Sequence, residues 1–166
     1  MVNKECANGI VGRLREAQEG RDWARMSEIL DEANEGDIRS LESIIPSLAE
    51  HDKWLIRAST VERIGNLHLR QLVDSVEVRL KDKHPVVRAF ALMAYHDLLG
   101  VKALPAIEEL CETENIGLRF TALALRYVET GDEDTLSKIG NILATKRRYP
   151  ENHYTTVNIF DRYYGI

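Results

Sequence analysis

The chain has 166 residues, of which 44% are hydrophobic and 30% charged, with a formal net charge of −5. That is enough apolar material for one buried core, so a single domain over 1–166 is expected. No run approaches the roughly 18 apolar residues that cross a bilayer, and the first twenty residues lack the apolar core of a secretory signal, so a cytoplasmic protein without a membrane partner is expected.

Charge is uneven along the chain. Residues 1–52 hold twelve acidic and six basic residues, a net of −6, whereas residues 53–166 hold fifteen and sixteen, a net of +1. The excess is concentrated at Glu28, Asp31, Glu32, Glu35 and Asp37. An acidic end disfavours nucleic acid and favours a basic protein. The same residues equally describe a solvated helix face that keeps the protein in solution.

In chain order, residues 4–19 read as a helix with Cys6, Ile10, Leu14 and Ala17 on one stripe, stopped by Gly20. Asp22 caps a second helix carrying Trp23, Met26, Ile29, Leu30 and Ala33. Asp37 opens the next, with Ile38, Leu41, Ile44, Ile45 and Leu48 apolar and Pro46 bending it. His51 and Asp52 turn into the helix of Arg57. A helix over 69–80 follows, and 82–84 lead into a helix entered at Pro85, with Val87, Ala91, Leu92, Tyr95 and Leu99 along one side. Leu104, Ile107 and Leu110 line a short helix, Asn115 caps the helix of Arg119, and Gly131 ends it. Residues 134–144 give one more helix with Leu136, Ile139, Ile142 and Leu143 inward. The tail 152–164 reads as helical.

The chain repeats itself. Arg57, Arg88 and Arg119 stand 31 residues apart, each after a branched apolar residue (Ile56, Val87, Leu118) and each four before another (Val61, Leu92, Leu123). Trp23 precedes Trp54 by the same interval, but Met26 stands where the arginine would, as in a divergent capping unit. With no period-2 alternation, these spacings predict an all-α fold of about ten helices in five antiparallel pairs. The pairs are expected to stack as a right-handed α-solenoid, 1–36 a degenerate N-terminal pair, 37–145 the repeats and 146–166 a C-terminal cap.

Over residues 37–145, and most clearly in HPVVRAFALMAY, the sequence resembles HEAT-like repeats of the short form of about 30 residues named after phycobilisome lyases. The resemblance implies a ladder in which the arginines of successive second helices meet acidic residues. Here Asp52, Asp82 and Glu114 stand near the acidic position without keeping register.

Residues that could carry chemistry are sparse. The histidines at 51, 68, 84, 96 and 153 lack metal-ligand spacing, no Gly-rich phosphate loop or nucleophile elbow is present, and Glu108 and Glu109 diverge by about 100° on a helix. No cofactor and no metal are expected, and Cys6 and Cys111 read as small core residues. Counting two, five and nine residues beyond each arginine gives Ser59, Glu62 and Asn66, then Phe90, Met93 and Asp97, then Thr121, Ala124 and Val128. In such solenoids this side lines the concave surface. Phe90 and Met93 then form either an apolar groove centre, with Glu62, Arg63, Asn66 and Asp97 as its polar rim, or part of the core. Tyr127 and the tyrosines of the tail, Tyr149, Tyr154, Tyr163 and Tyr164, are further candidates, as interface residues or as a cap.

The expectation is therefore a non-catalytic, monomeric protein-binding module. A free-standing acidic binder of this size is similar to bacterial immunity proteins, which cover a secreted toxin domain, often a basic nuclease. The alternative is a lyase-like enzyme or accessory subunit holding a small ligand in the groove. Nucleic-acid binding has only Lys146, Arg147 and Arg148 in its support.

Overall fold

The computed structural model of the chain describes residues 9–148, side chains at 38, 39 and 145–148 apart. The chain is all-helical, with no strand among the described residues. It divides into two compact units, one ending at Leu98 and the other beginning at Leu99. The expected start of the first helix with Cys6, the helical tail and Tyr154 lie outside the described residues.

The first unit begins with α1 (Ile10–Glu19) and α2 (Trp23–Glu32). They bury Ile10, Leu14 and Ala17 against Met26, Ile29 and Leu30, the i, i+4, i+7 stripe of one amphipathic helix and the i, i+3, i+4 stripe of the other. Asp22 caps α2 by accepting from Arg25 N at 3.0 Å. The turn before it is made by Arg21 at φ +54° as well as by Gly20. The single helix expected from Asp37 is two short ones, α3 (Ile38–Glu42) and α4 (Ile45–Ala49). Pro46 lies in the first turn of α4, where a missing amide is harmless, so the proline starts a helix here instead of bending one.

Next come α5 (Trp54–Asn66), a 3₁₀ turn over Arg70–Leu72, α6 (Val73–Arg79) and α7 (Pro85–Leu99). α5 lies between α2 and α7, with α4 and α6 also packed on it. Every residue from Ile56 to Gly65 is buried. The approach to α7 is close because position 65 has no side chain: a Cβ there would stand 2.7 Å from Ala94 Cα. In α7 Val87, Ala91 and Leu92 are buried as the stripe requires, but Leu98 completes it while Tyr95 and Leu99 are half-buried.

The second unit contains a 3₁₀ turn Gly100–Ala103, α8 (Leu104–Leu110), α9 (Ile116–Thr130) and α10 (Glu133–Arg148). α9 packs on α8 and on α10. Asn115 caps α9 by accepting from Leu118 N at 3.0 Å, and Gly131 ends it at φ +64°, both as the sequence predicts. The inward stripe of α10 is different from the expected one. Thr135 is fully buried and Ile139 and Ile142 are half-buried, while Leu136 and Leu143 are more than two-fifths exposed. The cause is polar: Thr135 Oγ1 donates to Asp132 Oδ2 at 2.7 Å and accepts from Arg126, which turns this side of the helix toward α9.

The stretch Pro85–Leu110 is long and apolar enough to cross a membrane by length and composition, at mean hydropathy 1.2. It is interrupted by Gly100 at φ +58°, and seven residues of α7 are buried in the protein, a pattern that core helices share.

Four helices begin at equal steps: residues 23, 54, 85 and 116, thirty-one residues at each step. The arginine three residues into each of the last three makes the same contact. Nη1 of Arg57, Arg88 and Arg119 donates to the carbonyl six residues earlier, that of His51, Asp82 and Thr113, at 2.8, 2.8 and 3.4 Å. Each bond ties the entering turn to its helix, satisfying a carbonyl that the turn leaves without a ladder partner.

Candidate partner-binding faces

Of the residues expected along one exposed side of α5, Asn66 is exposed and the others are not. Ser59, Glu62 and Arg63 are buried at 5%, 5% and 9%. Ser59 Oγ meets Ser27 Oγ at 2.6 Å, and Arg63 donates Nη1 to Ala33 O at 3.1 Å and Nη2 to Asp31 O. These carbonyls end α2, so Arg63 brings positive charge to the negative end of that helix. The expectation of a concave side at Ser59 with a rim at Glu62 and Arg63 fails because α5 has helices on both flanks, leaving its two ends, Trp54 and Asn66, open to water. Met93 is 4% exposed and belongs to the core, and Phe90 is half-buried. In the second unit Thr121 and Ala124 are buried, Tyr127 is half-buried and Val128 is exposed.

Asp97 remains exposed at the end of α7. Partial burial pushes its carboxyl above the ordinary range, against the pull of His96 and His68. His96 Nδ1 lies 4.0 Å from it.

The acidic residues of α2 stand at the surface. Glu28, Glu32 and Glu35 are exposed and Asp31 is half-buried. Part of their charge is met within the unit: Arg13 Nη1 lies 2.7 Å from Glu32, and Arg25 Nη1 lies 3.0 Å from Glu28 and 3.2 Å from Glu32. The hydrogen bond from Arg13 holds the Glu32 carboxyl below the ordinary range. Glu35 stands in the turn after α2.

The functional geometry that sequence reasoning missed lies at the helix starts. Trp54 stacks on His84, ring centroids 4.3 Å apart and 4° from parallel, and Trp23 meets His51 at 5.2 Å and 58°. Lys53 Nζ stands 5.6 Å from the Trp23 ring. Each tryptophan opens a helix and each histidine sits in the turn entering the next 31-residue unit. The signal was in the sequence, as two Trp at that spacing each followed by a turn histidine.

Beneath the Trp54–His84 stack lies a buried ion pair. Arg57 Nε and Nη2 donate to the two oxygens of Asp82, each at 2.8 Å, with both side chains almost wholly buried. Arg79 Nη1 lies 3.4 Å away and His84 N donates to Oδ1 at 2.9 Å. Burial alone would raise the Asp82 carboxyl, but the hydrogen bonds from Arg57 and His84 outweigh it and hold it below the ordinary range.

Among the described residues no three His, Cys, Asp or Glu side chains come together as a metal site requires. Cys111 is buried, its thiol pushed up by that burial. Comparisons with family models, with curated proteins and with solved structures gave no match.

Proposed function

We propose that the chain is a short HEAT-like repeat protein that binds one protein partner and performs no chemistry of its own. Its helix pairs stack as a right-handed solenoid of about five units, and its most concrete role is that of an immunity protein covering a basic toxin domain in the cytoplasm. The repeat reading is supported by the four equally spaced helix starts and by the identical carbonyl contact of Arg57, Arg88 and Arg119. The observation that carries the binding reading is the surplus of acid in residues 1–52, displayed on α2 and the turn after it by Glu28, Asp31, Glu32 and Glu35.

With Ser59, Glu62, Arg63 and Met93 enclosed, the contact surface of the first unit consists of these acidic residues with Asn66 and Asp97 as further candidates, and Tyr127 is a separate candidate on the second unit. Arg13 and Arg25 already offset Glu28 and Glu32, and Arg63 Nη2 lies 4.0 Å from Asp31 Oδ1, so long-range attraction acts through carboxylates whose charge is in part met within the unit.

The test is a pull-down with tagged protein from its own source under a high-salt wash, followed by reconstitution with the purified partner. One stoichiometric basic domain is expected, with association that slows at low salt on charge reversal of Asp31 and Glu35. An on-rate indifferent to both removes the electrostatic part of the reading. Retention of a small molecule with no protein partner removes the binding-module reading and supports the lyase-like alternative.

A further inference from the structure

His84 is placed where a proton has consequences. Its ring lies flat on Trp54, the first residue of α5, and it directly precedes Pro85, the first residue of α7. Its Nδ1 is buried and has no hydrogen-bond partner among the described residues. The charged groups around it come from three helices and the turn: Arg57 from α5, Arg79 from α6, Arg88 from α7, and Asp82. Asp82 is the single anion of the set, and both its oxygens are already taken by Arg57 and by the His84 amide.

A neutral imidazole needs one donor and tolerates an idle acceptor at Nδ1, whereas an imidazolium carries a donor on each nitrogen. The second N–H would point into an enclosed space with no acceptor, beside two guanidinium groups. The indole face attracts an imidazolium, which opposes this effect. Against that attraction stand the loss of solvation and the arginines, and burial already holds the imidazole below the ordinary histidine value.

We infer that protonation of His84 separates its ring from Trp54 and loosens the junction between the start of α5 and the turn entering α7, so that this edge of the first unit is a proton-sensitive hinge. The hinge needs no partner and is independent of the binding reading. The adjoining Arg57–Asp82 pair stays charged throughout the range in which His84 titrates, because its hydrogen bonds hold the Asp82 carboxyl low. Acid therefore opens the aromatic contact first and leaves the ion pair in place.

The experiment is a proton NMR titration of the full chain from pH 8 to pH 5, following the His84 ring protons together with amide exchange over residues 84–88. At pH 8 the Trp54 ring current should displace those ring protons upfield. The displacement should vanish as the ring protonates, with a midpoint below 6.5 and faster exchange of the amides. In H84Q the acid-dependent rise in exchange should be absent. A displacement that survives protonation, or a midpoint at or above 6.5, overturns the hinge by showing that stacking on Trp54 favours the cation. A rise in H84Q equal to that of the unaltered chain also overturns it, placing the sensitivity at His51 or Asp82.

Discussion

Arg57 and Asp82 are joined by two parallel hydrogen bonds of 2.8 Å across the junction of α5 and α7, twenty-five residues apart in sequence and nearly sealed from water. The next equivalent position, thirty-one residues beyond Asp82, is Thr113, and that beyond Thr113 is Ala144. The acidic series thus supplies one carboxylate where the arginine series supplies three guanidinium groups. Removing one partner leaves the other charged and buried, so Asp82→Ala should lower unfolding free energy by about 3 kcal/mol or more. Replacing both, as Arg57→Met with Asp82→Leu, should recover most of that loss. Urea denaturation of the three variants checks this, and a double variant no better than the single one would refute it.

Gly65 and Ala94 set the distance between α5 and α7. Alanine at 65 gains about 1 kcal/mol of helix propensity. Its Cβ would stand 2.7 Å from a backbone atom of α7, which cannot rotate away. Overpacking of this kind costs roughly 1–3 kcal/mol, so Gly65→Ala should be net destabilising, with a lower Tm by calorimetry. A Tm that stays or rises would mean that the two helices part easily.

Arg63 closes the end of α2 through the carbonyls of Asp31 and Ala33. Arg63→Met keeps much of the apolar stem and discards the donors, leaving enclosed carbonyls without them. A loss of about 2 kcal/mol is expected. Hydrogen exchange should place it locally, with earlier opening of the last turn of α2 than of α5.

Acid should weaken the fold as a whole. Burial lowers the imidazoles of both His51 and His84 from their unperturbed 6.5. Above 6.5 neither the folded nor the unfolded chain holds these protons. Below it the unfolded chain binds them first, so stability falls as pH drops from 6.5 toward the folded values. Asp97 acts in the opposite sense: its folded carboxyl takes a proton at higher pH than the unfolded one, so its contribution grows on acidification. The midpoint urea concentration should be lower at pH 5 than at pH 8, and Asp97→Asn should raise the value at pH 8. An equal or higher midpoint at pH 5 would show that the histidines do not govern this range.

What was legible in the sequence follows from where the constraint lies. The 31-residue step could be read because Arg57, Arg88 and Arg119 must each reach one carbonyl at a fixed distance behind them, a local demand that fixes residue type and position. Caps such as Asp22 and Asn115 were legible for the same reason. The water-facing side of α5 was not legible, because no residue from Ile56 to Gly65 meets water. A helix enclosed along its middle has no polar stripe to reveal its orientation, and Ser59 Oγ and the Nη atoms of Arg63 bond to groups of α2 and its end that only the tertiary structure supplies. In α10 the apolar count favoured Leu136 and Leu143, but the hydroxyl of Thr135 has its partners inside, and it decided which side turned in.

The polar links between helices in the first unit are all short in sequence. Ser27 to Ser59, Ala33 to Arg63 and Arg57 to Asp82 span thirty-two, thirty and twenty-five residues. Chains whose contacts close small loops reach their transition state with little loop entropy to lose, so this unit should fold rapidly for its size. Pulled from one end, it should release α1 and α2 before α7 yields, in steps that an optical trap can count.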